Sequence, residues 1–385
     1  MLAQRTNLVP VSEIRKMYNK VIDRPNAINL TVGQPDFETP DFIKEAGKKA
    51  IDDGITRYTH NAGLLEVRES FSRKVKRDNN IDADPVTEII CTAGGMGSLI
   101  LANQVLVDPG DEVLYPDPGF VSHKAHIHLA GGVPIPVPLR KENNFGMTAA
   151  DVEERITDKT KLLVINSPNN PTGGVSSNKD IKQIAELAIE HDFYILSDEA
   201  YEKFRYNSEK PIFIGSLPDM KSRCVTLFSF SKSYAMTGWR IGFSVGPEEV
   251  IKAMTHMQEH FLAMPTSISQ KAAQAAVDGC QDCVSEMLAT YRKRRDLISK
   301  GLNSIDGITM EPPDGAFYAF PDVSFYSQNS YEFANELLDK ANVATVHGSA
   351  FGQYGERFLR MCYAVSTEEI ETALQYLDTY LSKLR

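Results

Sequence analysis

"KLLVINSPNNPTGG", residues 161–174, sets the fold class. Its first half is a run of Leu, Leu, Val and Ile without polar alternation, which suits a strand buried on both faces. Asn, Pro and Gly then stop the run, and a helical pattern follows at about 178–190. A second apolar run, "FYILSDEA", occupies 193–200. Strand, turn, helix and strand in that order describe a unit of a parallel sheet.

The same rhythm extends outward. "EIICTA" (88–93) leads into the helical "MGSLILANQVLV", "DEVLYP" (111–116) follows a Pro-Gly turn, and "CVTLFSFS" (224–231) closes the series. These runs predict an α/β fold: a mainly parallel sheet covered by helices on both faces. From about residue 285 the character changes. A long charged helix, "VSEMLATYRKRRDLISKGLNSI", precedes short strands such as "AFYAFPD" and "RFLRMCYA" mixed with helices. The expected division is a large domain over 41–284 and a smaller α/β domain over 285–385, with residues 1–40 attached to it as an irregular segment. A chain of 385 residues is long enough for two such units.

Lys and Arg number 41 and Asp and Glu 51, giving a net charge of −10. An acidic chain is poorly suited to non-specific nucleic-acid or anionic-membrane binding. No apolar run reaches the roughly 18 residues of a membrane span. The start, "MLAQRTNLVPVSEIRKMYNK", lacks the basic-then-apolar layout of a signal peptide. The expected location is cytoplasmic. Five cysteines do not suggest a disulfide framework. Cys280 and Cys283 form a C-x-x-C, but no second pair accompanies it, and both read as ordinary helical residues. His123, His126 and His128 have no carboxylate at ligand spacing, so no metal is expected.

In an open parallel sheet, ligands bind outside the carboxyl ends of the strands. The predicted strands deliver distinctive groups there. These are Gly94-Gly95-Met96 at a helix start, Phe120, Asn170, Asp198 with Tyr201, and Ser229, Ser231 and Lys232. Arg240 follows eight residues after Lys232. Singly, each has a structural reading: a glycine turn, a core phenylalanine, a helix cap, a snorkelling lysine, a surface ion pair. Together they match one ligand, an aromatic phosphorylated aldehyde with a ring nitrogen. Lysine forms the Schiff base, aspartate pairs with the pyridine nitrogen, and phenylalanine stacks on the ring. Helix amides, serines and arginine take the phosphate. That ligand is pyridoxal 5′-phosphate.

"SFSKSYAMTGWRIGF", "NSPNNPTG", "SDEAYEKF", "TVGQPDF" and "FLRMCYA" resemble, in consistent order, the class I aminotransferases of fold type I. The similarity is to the branch containing aspartate aminotransferases and N-acetyl-diaminopimelate aminotransferase, and it runs from about Leu30 to Ala364. It implies an aspartate-aminotransferase-like fold and a ping-pong transfer of an amino group from an L-amino acid to a 2-oxo acid, with 2-oxoglutarate the expected acceptor. Donors of the aspartate, aromatic or N-acyl-diaminopimelate type are implied. Lys232 is then the Schiff-base lysine and proton shuttle, with Asp198 on the ring nitrogen. Tyr201 and Asn170 face the ring hydroxyl, and Phe120 stacks. The amides of Gly95 and Met96, with Ser229, Ser231 and Arg240, hold the phosphate. Arg360 clamps the substrate carboxylate with help from Asn170 and the Gly33 backbone. Tyr58 matches a tyrosine that reaches the neighbouring subunit's phosphate, which implies a homodimer with shared sites.

Two positions depart from the pattern. Met96 stands where some aspartate-specific relatives carry a carboxylate-binding lysine, and His347, read as a loop residue, stands where proline is usual. Two other functions share parts of this reading. A β-lyase or another fold-type-I enzyme would use the same cofactor contacts. A non-catalytic ligand-sensing regulator would carry a DNA-binding segment, and the roughly 30 residues before "TVGQPDF" are not a basic helix-turn-helix.

Overall fold

The apolar runs pair into one seven-stranded sheet. In this computed structural model, which describes residues 2–384 apart from 4, 10 and 23, the strands are β1 (Ile89–Thr92), β2 (Glu112–Asp117), β3 (Val133–Pro138), β4 (Thr160–Asn166), β5 (Tyr194–Asp198), β6 (Cys224–Ser229) and β7 (Gly242–Val245). Their order is β1-β7-β6-β5-β4-β2-β3. Every pairing is parallel except those of β7, which runs antiparallel to both β1 and β6. Helices cover both faces, as expected. Along β4, Leu162 and Val164 enter one apolar cluster and Leu163 and Ile165 the other. This two-sided burial is why the strand reads as a continuous apolar run.

β3 and β7 were not apparent in the sequence. The former, "VPIPVP", carries three prolines and pairs only with β2, and an edge is where a strand tolerates proline. The latter is a four-residue return that follows the Arg240 turn.

The region after 285 contains the expected helix, at Asp282–Asn303, and a three-stranded antiparallel sheet of Val346–His347, Leu359–Cys362 and Tyr318–Ala319. Of the two paired cysteines, only Cys283 is helical; Cys280 lies exposed in the preceding turn. The N-terminal segment is more ordered than expected. It holds a helix over Glu13–Ile22, whose residues Met17 and Val21 are buried in the core, and a short strand, Ile28–Asn29, parallel to Val343–Ala344. Among the described residues no helix is long and apolar enough to cross a membrane.

A stack of aromatic rings fixes the helix Leu65–Asn79 to β6 and β7. Phe243 lies 4.3 Å from Phe71 and 4.7 Å from Phe228, centroid to centroid. Replacing Phe243 with Ala is expected to cost about 3–5 kcal/mol, the range for a buried phenylalanine. The cost should appear as a lower chemical-denaturation midpoint; an unchanged midpoint would contradict this packing.

Candidate active site

β1 runs directly into the helix Gly94–Leu106. The junction needs glycine: Gly94 has φ +70°, and a Cβ there would stand 2.8 Å from Nη2 of Arg240. Arg240 is itself left-handed, with φ 52°, and its Nη1 donates to the Thr237 carbonyl at 2.8 Å. The guanidinium is therefore folded back across the start of that helix.

β6 ends at Ser229, whose hydroxyl accepts from the amide of Ser231 at 3.3 Å and starts a single helical turn, Phe230–Ser233. Lys232 sits in that turn. Its ammonium donates to the Gly33 carbonyl. Burial lowers its pKa from the ordinary 10.5 to about 8, with the Arg360 and Arg240 charges adding to the effect against Cys362 and Asp198.

β5 ends at buried Asp198, whose Oδ2 lies 3.1 Å from Nε2 of His123. His123 is 0% exposed on the helix Val121–Ala130, and its ring meets that of Phe120 edge-on at 5.6 Å. The sequence reading weighed His123 only as a metal ligand and missed this contact. The signal was its place three residues after Phe120, on the helix entered from a strand end. Its neighbour His126 is pushed down to about 4 by burial and by His123.

β4 ends at Asn166, which also escaped the sequence reading. Its Nδ2 donates to the Asp198 carbonyl at 3.1 Å, and its Oδ1 accepts from the Asn170 amide at 2.9 Å. Asn170 Oδ1 in turn accepts from Nη1 of Arg360 at 3.0 Å, while Nη2 donates to the Thr31 carbonyl. The guanidinium lies 4.7 Å from the Tyr318 ring and 4.8 Å from the Phe351 ring. Tyr318 shares a 2.7 Å hydrogen bond with Tyr201. Both phenols are pushed upward by burial, so both are neutral at physiological pH.

These side chains surround a cavity of about 320 Å³. Gly33, Gly95, Met96, Phe120, Asn170, Asp198, Tyr201, Ser229, Ser231, Lys232, Arg240 and Arg360 all line it. Tyr58 does not; it is 87% exposed and lies outside. His347 is not a loop residue but a buried strand end. Within the cavity Lys232, Arg240 and Arg360 form no ion pair with a carboxylate among the described residues; their hydrogen bonds go to carbonyls and an amide. Asp198 is engaged by His123. In an acidic chain, this cavity is positive.

The family described as aminotransferase class I and II matches residues 25–377. The chain belongs to this family. It is 41% identical over 384 residues to aromatic-amino-acid aminotransferase 2 of Thermococcus litoralis, covering 99% of this chain and 98% of the relative. Identity is also 41%, over 382 residues, to an aspartate aminotransferase of Pyrococcus abyssi, covering 99% and 98%. Among solved structures, the aspartate aminotransferase of Thermus thermophilus with maleate superposes with a TM-score of 0.93 at 36% identity, covering 99% of both chains. The aromatic aminotransferase of Pyrococcus horikoshii superposes at 0.91 with 39% identity, covering 96% of this chain and 99% of the other. The chain is thus an aminotransferase enzyme with the α/β architecture of that group.

Gly33 is needed for its lack of a side chain: a Cβ there would stand 1.9 Å from the Tyr318 hydroxyl. Gly33→Ala must displace the phenol that packs under Arg360. Expected is a fall in aminotransferase kcat/KM of roughly 100-fold with the fold intact by circular dichroism. Wild-type kinetics in this variant would show that Tyr318 need not stay in place.

Proposed function

We propose that this aminotransferase binds pyridoxal 5′-phosphate in the 320 Å³ cavity and transfers the amino group of an L-amino acid to a 2-oxo acid, with 2-oxoglutarate as acceptor, by a ping-pong route. The observation that carries this reading is the set of three cations that have no carboxylate partner among the described residues. Arg360 is buried, Lys232 half-buried and Arg240 exposed, and a buried charge without a counter-ion costs several kcal/mol, so the set favours bound anions, most strongly at Arg360. A phosphate dianion and a substrate carboxylate supply the missing charge.

The residues fit the cofactor. Lys232 Nζ is the amine for its aldehyde carbon. Arg240, the Gly95 and Met96 amides and the hydroxyls of Ser229 and Ser231 form a phosphate cradle, and Gly94 has no Cβ because Arg240 needs that space. Asp198, steadied by His123, would hold a protonated ring nitrogen, and Phe120 offers its face to the ring. Tyr201 and Asn170 would meet the ring hydroxyl. When bound, the cofactor supplies the carbonyl that takes the amino group and the ring that withdraws electrons from the substrate.

The chain supplies the rest. Arg360 presents two guanidinium nitrogens to the substrate carboxylate and so orients the Cα–H bond. Its planar fork is held between two rings, which a lysine could not reproduce. Lys232 Nζ moves the Cα proton; a pKa of about 8 leaves part of the amine neutral near physiological pH and able to accept it. The buried Tyr201–Tyr318 pair excludes water from that side. We further propose a homodimer in which Tyr58, exposed in one protomer, reaches the partner's phosphate. Donors are of the aspartate, aromatic or N-acyl-diaminopimelate type. A location in the cytoplasm accords with this metabolic chemistry.

Single amino acids added to the cofactor-loaded enzyme should convert the visible absorption of the bound aldehyde form to that of the amine form, releasing the 2-oxo acid. Release of ammonia and pyruvate without the amine form would favour β-elimination, and no change with any natural amino acid would exclude both. Loading is expected to depend on pH. The neutral Lys232 amine is the nucleophile, so the rate at which the cofactor-free enzyme takes up the cofactor rises with pH to a plateau, with its midpoint at about 8. A midpoint near the ordinary 10.5 would show that the lysine is not desolvated.

A further inference from the structure

The cavity wall beyond Arg360 is apolar. Ile14, Met96 and Phe120 line it, and its cations are those already committed to phosphate, aldehyde and carboxylate. Ile14 comes from the N-terminal helix Glu13–Ile22. That helix is held firmly at its far end, where Met17 and Val21 enter the core and Arg24, just beyond it, pairs with Asp339 at 2.6 Å. Its near end, which carries Ile14, is held differently. Glu13 Oε2 stands 3.6 Å from Nε2 of His347. The Nε2 atom is buried and has no hydrogen bond, and the distance is slightly beyond hydrogen-bond reach.

His347 is well placed to act on the pocket. Its strand is the immediate neighbour of the one carrying the carboxylate clamp: Val346 is paired with Arg360 and His347 with Leu359. Its ring is oriented by Ser349, whose Oγ lies 2.8 Å from Nδ1, and by the edge of Tyr331 at 5.1 Å. Burial holds the imidazole below its usual pKa against the pull of Glu13 and Glu356, so near neutral pH it is an uncharged ring facing a carboxylate. A neutral ring with its proton on Nε2 would donate to Glu13.

We propose that His347 is a positioning residue: by facing Glu13 from the strand beside Arg360, it seats Ile14 against the substrate's side chain and so favours donors with large apolar side chains. The contact couples the carboxylate clamp to the side-chain wall, because Arg360 and His347 lie on neighbouring strands of the small sheet and His347 faces the helix that carries Ile14. Behind the wall a second cavity, about 890 Å³, also borders Met96, Phe120, Glu13 and His347. Loss of the contact would let the helix end swing toward that space. The inference rests on the reading that Arg360 receives the substrate carboxylate.

The test compares phenylalanine and alanine as donors for the cofactor-loaded wild type, His347→Gln, Glu13→Gln and the double variant. Expected is about a tenfold rise in KM for phenylalanine in each single variant, with kcat within twofold and alanine KM within twofold, because alanine has no side chain to reach Ile14. The double variant should be no worse than either single one. Equal effects on both donors, no effect on either, additive losses, or a wild type that turns over alanine but rejects phenylalanine would each overturn the proposal. Glu13→Gln is at a partly exposed helix start, so it tests the contact even if His347→Gln does not fold. A wild type inactive with every amino acid would instead refute the aminotransfer reading, which the donor panel detects separately.

Discussion

Arg360 is 1% exposed, lies between two aromatic rings, and has no carboxylate paired with it among the described residues. A guanidinium buried in this way is the constraint around which the rest of the site is arranged. Lys232, half-buried, and Arg240, exposed, line the same cavity. The protein tolerates these charges because each is fixed by neutral acceptors: Asn170 and Thr31 for Arg360, Gly33 for Lys232, Thr237 for Arg240. Neutral acceptors hold a cation in place without cancelling its field. Attraction for anions is thereby retained, and the lowered pKa of Lys232 is a by-product of the same crowding.

The frame behind these contacts has two parts. Strand ends of the large sheet present the lysine, the aspartate and the Gly94 turn, and the small antiparallel sheet presents Arg360. Asn166 and Asn170 link the two, since a chain of hydrogen bonds passes from the Asp198 carbonyl through both amides to the guanidinium. A shift of either sheet must therefore disturb both Asp198 and Arg360. Tyr318 and Gly33 close the remaining side at a separation that leaves no space for a methyl group.

Much of this was legible in the sequence. The central strands announced themselves because burial on both faces forbids polar alternation, and their ends carried residues too costly to leave unused. The pocket-lining set, from Gly33 to Arg360, followed from those ends and from the family resemblance. The rest depended on contacts distant in sequence. His123 could not be linked to Asp198, 75 residues away, without knowing that its helix brings it to the end of β5. Tyr318 meets Tyr201 across 117 residues. β3 was hidden by its prolines, and the helix Glu13–Ile22 by its brevity, with only Met17 and Val21 buried. His347 looked like a loop residue because a two-residue strand has no periodicity to read.

The most direct test of the account is chemical. Borohydride reduction of the cofactor-loaded enzyme should fix the cofactor irreversibly to one lysine, which peptide mass mapping can then locate. The account predicts a single pyridoxyl label on the peptide carrying Lys232, and no label in Lys232→Ala. A label on another lysine, or none in the wild type, would contradict the claim that Lys232, Arg240 and Arg360 form a pyridoxal 5′-phosphate site.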